Sequence, residues 1–329
     1  MPLPRIDARA LLAGGTLLFV GGACAQTSST GAAAAFPSKP VRIITSEVGG
    51  SPDFLARLVA RGIAGGLGQN LIIENRASMK AAELVAQAPA DGYTLLFASI
   101  GLHVTGPFLQ KLTFDPVRDF SPVTTVNWQP NVIVVTPALP AKSVKELVAY
   151  AKSRPGELNY GSSSTGSANH LAAELFNTMA GIKTVRINYK GMGQAMIDLI
   201  AGQLQLSFPA AATATPHLKS GKLRALAVTS TQPYSLLPTL PTAEASGLPG
   251  YESSSIYGLL TPARTPAAVV RRLNQESVTF LRTPDAREKF LNAGSEVVGS
   301  TPDELAATMK SESTKWGKVI RDAGIKPEQ

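Results

Sequence analysis

Two stretches of this chain carry the residue types that hold an anion without chemistry. The first is Thr45-Ser46-Glu47-Val48-Gly49-Gly50-Ser51-Pro52-Asp53; the second is Gly161-Ser162-Ser163-Ser164-Thr165-Gly166-Ser167-Ala168-Asn169-His170. In the first, Ser51 is a helix-capping residue, Pro52 suits a first helical position, and Asp53 complements the positive helix end. Gly49 and Gly50 let the backbone approach a bound group. The second brings hydroxyls and backbone N–H groups to another helix start, a place where carboxylate, sulfate or phosphate binds readily. Each is equally readable as a plain capped loop; two alike suggest a cleft between them.

Sharper catalytic motifs fail at the letter. Gly161 and Gly166 have the spacing of a phosphate loop, but Ser167-Ala168 stand where Lys-Ser/Thr is required. Ser164 has Gly166 after it but Ser162 before it, which breaks a nucleophile elbow. Gly191-Met192-Gly193 lacks the third glycine of a dinucleotide fingerprint. His103, His170 and His217 are far apart and show no metal-ligand spacing. No cofactor or metal is expected.

The elements that must position these loops alternate. Short apolar or β-branched runs predict strands at 41–45, 71–74, 93–98, 132–136, 158–161, 184–189, 204–208 and 224–229. Helical spacing predicts helices around 54–63, 81–87, 143–152, 171–179, 194–201, 269–281, 286–291 and 302–321. This alternation predicts α/β layering with mostly parallel sheets, too many elements for one small domain.

The N-terminus reads as an export signal. Arg5 and Arg9 precede an uncharged run from Ala10 to Val20, and Ala23-Cys24-Ala25 offers a small-residue cleavage site. Cys24 is the only cysteine, and Gly21 three residues before it disfavours lipid attachment. Cleavage after Ala25 therefore leaves a mature protein without disulfide, zinc-cysteine or cysteine-nucleophile chemistry, working in the periplasm. Residues 26–35 read as a flexible leader. The net charge of +8 is scattered, with Arg271-Arg272 the one adjacent basic pair after the signal. It reads as surface solubility or a diffuse field for anions, not as a nucleic-acid footprint.

Beyond these loops, the chain resembles the periplasmic solute-binding proteins of tripartite tricarboxylate transporters, the Bug or TctC-like family. The likeness rests on fragments in order: Phe36-Pro-Ser-Lys-Pro-Val-Arg42, Gly49-Gly50 with Asp53, Glu74-Asn75-Arg76, and Ala90-Asp91-Gly92-Tyr93-Thr94-Leu95. It continues through Phe114-Asp115-Pro116, Asp119-Phe120, Leu158-Asn159-Tyr160, Gly166, His170-Leu171, Tyr189-Lys190-Gly191 and residues 221–227. Gly247-Leu248-Pro249-Gly250-Tyr251 and Trp316-Gly317 close it.

The resemblance implies an α/β two-lobed periplasmic-binding-protein (Venus flytrap) architecture with two hinge crossovers. Residues 36–136 and 258–329 would form lobe 1 and residues 137–257 lobe 2. It implies a small carboxylate held between the lobes for delivery to the membrane components of a transporter, by a monomer, without catalysis. The alternatives are the same fold as a ligand sensor and, further off, an exported α/β hydrolase. The implied contacts are Ser46, Gly49, Gly50, Ser51 and Asp53 from one lobe, with Ser99 at a strand end. From the other come Ser163, Ser164, Thr165, Ser167, Asn169 and His170, with Tyr189 and Lys190 nearby. Asp53, His170 and Lys190 have structural readings too: helix cap, helix-start packing and solvated charge.

Three departures bear on the ligand. Ser46-Glu47-Val48 replace the family's prolines, and Glu47 would repel an anion. Ala77-Ser78-Met79-Lys80 replaces a longer Gly-rich loop, with Lys80 either restoring positive charge or pointing to water. Pro209, followed by Ala210-Ala211-Ala212, stands where members that bind amino-bearing acids have an Asp. The expected ligand is a carboxylate without an α-amino group and with an apolar or aromatic body.

Overall fold

The computed structural model describes residues 36–46, 48 and 51–326. The expected signal and leader, and Glu47, Gly49 and Gly50 of the first loop, lie outside the described residues.

The chain starts in strand β1 (Val41–Thr45), whose consecutive isoleucines go to opposite faces of a sheet. Ile43 enters a core with Leu55, Val59 and Ile63 of helix α1 (Ser51–Leu67), and Ile44 one with Val85 of helix α2 (Ser78–Ala86). Strands β2 (Leu71–Asn75) and β3 (Thr94–Ser99) run parallel to β1 on either side, so Thr45, Asn75 and Ser99 end at one edge. Helix α3 (Ile100–Leu109) follows β3 directly. Strand β4 (Phe120–Pro130) pairs with two later strands, β10 (Ser254–Pro262) and β11 (Glu296–Val297). The six-stranded order is β11-β4-β10-β3-β1-β2.

A second sheet has the order β7-β6-β8-β5-β9, built from β5 (Val132–Val135), β6 (Asn159–Ser162), β7 (Val185–Asn188), β8 (Leu206–Ser207) and β9 (Arg224–Val228). Its faces separate by the same alternation: Ile133 and Val135 pack with helices α4 (Val144–Lys152) and α5 (Ala168–Ala180). Val132 and Val134 pack with α6 (Met192–Ile200) and α7 (Ala211–Lys219). Helices α8 (Ala267–Leu281) and α9 (Pro284–Asn292) cover one face of the first sheet, and α10 (Pro302–Asp322) the other. Each lobe is thus a helix–sheet–helix sandwich.

Two expectations need correcting. The sheets are mixed rather than mostly parallel, because β10 and β4 pair antiparallel in the first and β5 pairs antiparallel with β8 and β9 in the second. The lobe boundary expected after residue 136 falls one strand late, since β5 already belongs to the second sheet, and the return expected at 257–258 falls inside β10. The chain switches sheets with only Asn131 between β4 and β5, ahead of the Thr136-Pro137 pair.

Both crossovers meet in one buried polar knot. Asn131 N–H donates to Ser253 O (3.4 Å), Ser253 N–H to Thr229 O (3.0 Å), and Thr229 N–H to Asn131 O (3.0 Å). The Thr229 hydroxyl donates to Asn131 O, and Asn131 Nδ2 to Phe208 O at 2.6 Å. With all three residues buried, each bond satisfies a group that water cannot reach.

Candidate functional site

Helices α4, α9 and α10 start with side-chain caps that several others, α8 at Pro266 among them, lack. Ser143 accepts from Glu146 N–H at α4, Thr283 from Ala286 N–H at α9, and Thr301 with Glu304 closes a capping box at α10. By contrast α2, α3, α5, α6 and α7 have no side-chain cap bond at Ala77, Ser99, Ser167, Gly191 and Ala210. These five begin at the carboxyl ends of β2, β3, β6, β7 and β8, where α/β sheets place their ligands. Their first N–H groups are left to other acceptors.

In the first lobe the loop after β1 is clamped from below. Asn75 Nδ2 donates to Ser46 O (2.6 Å) and to Asp53 Oδ1 (2.9 Å), and Arg57 Nε donates to the same carboxylate oxygen at 3.0 Å. Asp53, 5% exposed, therefore acts as an anchor for the loop and α1. Ser51 is the first residue of α1 rather than the residue before it. Ser46, Pro52, Ser78, Met79, Ser99 and Leu102 contribute to a cavity of about 50 Å³ at this edge, its floor made by carbon atoms of β3 and α2. The first lobe's nearby cations are paired: Lys80 Nζ with Glu83 (2.7 Å), Arg42 with Glu74 (2.6 Å), and Arg76 with Glu74 and Asn75 O. Lys80 thus turns along its own helix.

His103, buried on α3, directs Nε2 to Pro116 O at 2.8 Å and lies edge-on to Phe120. Since a carbonyl only accepts, Nε2 carries the hydrogen and Nδ1 is a buried acceptor without a partner. Burial pushes this imidazole down to about 4.

The second-lobe loop is a closed hydrogen-bond net. Asn169 Oδ1 accepts from Ser163 N–H (2.8 Å) and the Ser167 hydroxyl (3.0 Å), while its amide donates to Ser163 Oγ at 2.9 Å. His170 Nδ1 accepts from Gly166 N–H at 3.0 Å, and burial, then the Arg186 charge, pushes its pKa down to about 3. A neutral, 3% exposed imidazole is a structural strut for the loop. Ser164 is exposed at the crest, its carbonyl accepting from Ser167 N–H (3.0 Å).

The residue that organises this net is Arg186, which the motif reading missed. From β7 its Nε donates to Ser162 Oγ (2.7 Å), Nη1 to Thr165 Oγ1 (2.7 Å), and Nη2 to Ser163 O (2.8 Å) and Asn188 Oδ1 (3.1 Å). An arginine within a strand otherwise flanked by Val185 and Ile187, sharing a face with Asn188, was the available signal. Tyr189 N–H donates to Ser162 O at 2.9 Å while its hydroxyl donates to Asp198 (2.7 Å) and is lifted by burial to about 12; Lys190 is exposed.

The lobes meet beside this loop. Gly166 has φ of +80°, and a methyl group on it would fall 2.2 Å from Leu109 Cδ1 of α3. Leu109, Leu171 of α5, and Trp316 and Ile320 of α10 form one cluster across the lobes. Thr105 Oγ1 approaches Gly166 O at 3.5 Å. The structure thus brings Ser163, Thr165, Ser167, Asn169 and His170 into one net, and Ser46 and Ser99 to one cavity.

Two sandwiches joined by paired crossovers, with hydroxyl-rich loops at their strand ends, define a two-lobed solute-binding protein. Residues 55–325 match the family described as "Tripartite tricarboxylate transporter family receptor", and the chain belongs to that family. Rpa4515 of R. palustris, solved with adipate, is 36% identical and superposes with a TM-score of 0.83, covering 89% of this chain and 100% of that one. The periplasmic binding protein BugD is 30% identical (TM-score 0.81; 89% and 100% covered). MatC (Rpa3494) from Rhodopseudomonas palustris, with bound malate, is 29% identical (TM-score 0.80; 87% and 100% covered).

Proposed function

We propose that this protein captures a small carboxylate lacking an α-amino group between its two lobes, in the periplasm, and presents it to the membrane components of a tripartite transporter. The observation that carries this reading is the Ser163–Asn169 net around Arg186, at the uncapped start of α5. It sets a cation beside the uncapped N–H groups that open α5, where an anion gains most from them. The similarity to an adipate-bound and a malate-bound protein supports the ligand class. Against an ammonium group stand Pro209 and the alanines that open α7, and an Asp53 occupied by Arg57 and Asn75. The lobes hinge at Asn131 and Ser253, the positively led N-terminus serves export, and the chain acts as a monomer without catalysis.

Titration calorimetry of the mature protein against short mono- and dicarboxylates, and against amino acids, tests the proposal. Stoichiometric binding of non-amino carboxylates is expected. Binding confined to amino acids would overturn the ligand class, and turnover of the bound compound would overturn the receptor role.

A further inference from the structure

We infer that Met79 sets the length of the ligand the protein accepts, by closing the floor of a first-lobe cavity that receives the ligand's aliphatic end. The inference rests on the carboxylate-capture reading and goes beyond it to chain length and end-group chemistry.

The loop after Arg76 is so short that α2 begins at Ser78, at the carboxyl ends of β1 to β3. Met79 therefore lies in the first helical turn, where it lines the cavity with Ser46, Pro52, Leu96, Ser99 and Leu102. Its sulfur rests against α3 where Gly106 has no side chain: a methyl group there would come within 3.1 Å of Sδ. A flexible thioether seated against a glycine fills the space that the missing side chain leaves.

The volume, about 50 Å³, decides what enters. A cavity of about 150 Å³ is the size known to hold benzene, and a water needs about 10–15 Å³ by the same measure. The space suits a stub of a few carbons and excludes an aromatic ring, which removes the aromatic body from the sequence-based expectation. Among the described residues the lining offers three serine hydroxyls and the neutral ring of His103 but no cation, so an ionised second carboxylate would enter without a counter-charge, a costly burial. The ligand's far end is accordingly uncharged and aliphatic.

The test measures affinities of wild-type protein, Met79→Ala and Met79→Phe for straight-chain monocarboxylates from butanoate to decanoate, with adipate and benzoate alongside. Each methylene newly buried is worth about fourfold in affinity. Met79→Ala is expected to move the preferred chain about two carbons longer and raise binding of the longer acid about fifteenfold; Met79→Phe is expected to shorten it. An unchanged chain-length order in both variants, with carboxylates still binding, would overturn the role of Met79 alone. Equal binding of adipate and hexanoate would overturn the uncharged end. No carboxylate bound by wild-type protein would overturn the capture reading itself.

Discussion

The two lobes face the same cleft with opposite chemistry. The first offers a small, largely carbon-walled recess, and its cations are tied to their own lobe's carboxylates: Arg57 to Asp53, Lys80 to Glu83, Arg42 to Glu74. The second spends a half-buried arginine on a loop of serine and threonine oxygens. On the proposed reading, a ligand complementary to both is asymmetric, charged at one end and plain at the other, and the likeness of the two lobes would not carry over into binding.

The contrast can be broken most forcefully where the lobes touch. Gly166→Ala must place a side chain in the left-handed region and also displace Leu109. Together these costs are about 2–4 kcal/mol, read as a lowered urea midpoint. Adding Leu109→Ala should recover the steric share and leave the backbone share. A Gly166→Ala protein as stable as wild type would mean that the second-lobe loop is not held against α3.

Arg186→Met comes next. It removes the charge and leaves the Ser162, Thr165 and Ser163 oxygens without their donor, so carboxylate affinity should fall about ten- to a hundredfold. Arg186→Lys should restore part of the affinity but not the forked geometry. If Arg186→Met binds as tightly as wild type, the charge does not define the second-lobe half of the site.

The smallest effect is a pH slope. His170 and His103 are held in the fold at about 3 and about 4, well below the ordinary value of 6.5. The unfolded chain takes up protons that the folded chain refuses, so stability is full above about pH 6.5 and falls as pH drops toward 4. Each group contributes at most about 1.4 kcal/mol per pH unit. Denaturation curves across this window should flatten by about one proton in His170→Gln; an unchanged slope would mean that His170 is protonated in the fold.

What the sequence disclosed depended on how locally each feature was encoded. Strand β1 falls where the β-branched run 41–45 predicts it, and α4 and α10 fall where helical spacing over 143–152 and 302–321 predicts them, because such periods are local. Helix α3 was illegible because Gly101, Gly106 and Pro107 break its pattern. Strands β4 and β10 hid because they bury polar residues, Thr124, Asn127, Gln129, Ser254 and Ser255; the first three bond to Ser300, Ser295 and Ala212, all remote in sequence. The same holds for the site. The 163–170 loop announced itself by composition, whereas Arg186 and Asn75 act on partners some 20–30 residues away, which spacing does not reveal.

The cluster of Leu109, Leu171, Trp316 and Ile320 has an optical consequence. The chain has only two tryptophans, and Trp316 lies in this seam with its indole N–H on Glu312 at 2.7 Å. Trp128, on β4 of the first lobe, lies edge-on to Tyr234 and packs against the second lobe's core. Parting the lobes would wet the Trp316 indole, and Trp128, itself at a contact between the lobes, would blur that signal. A Trp128→Phe protein thus carries a built-in fluorophore whose emission colour registers each opening and closing, with no dye attached.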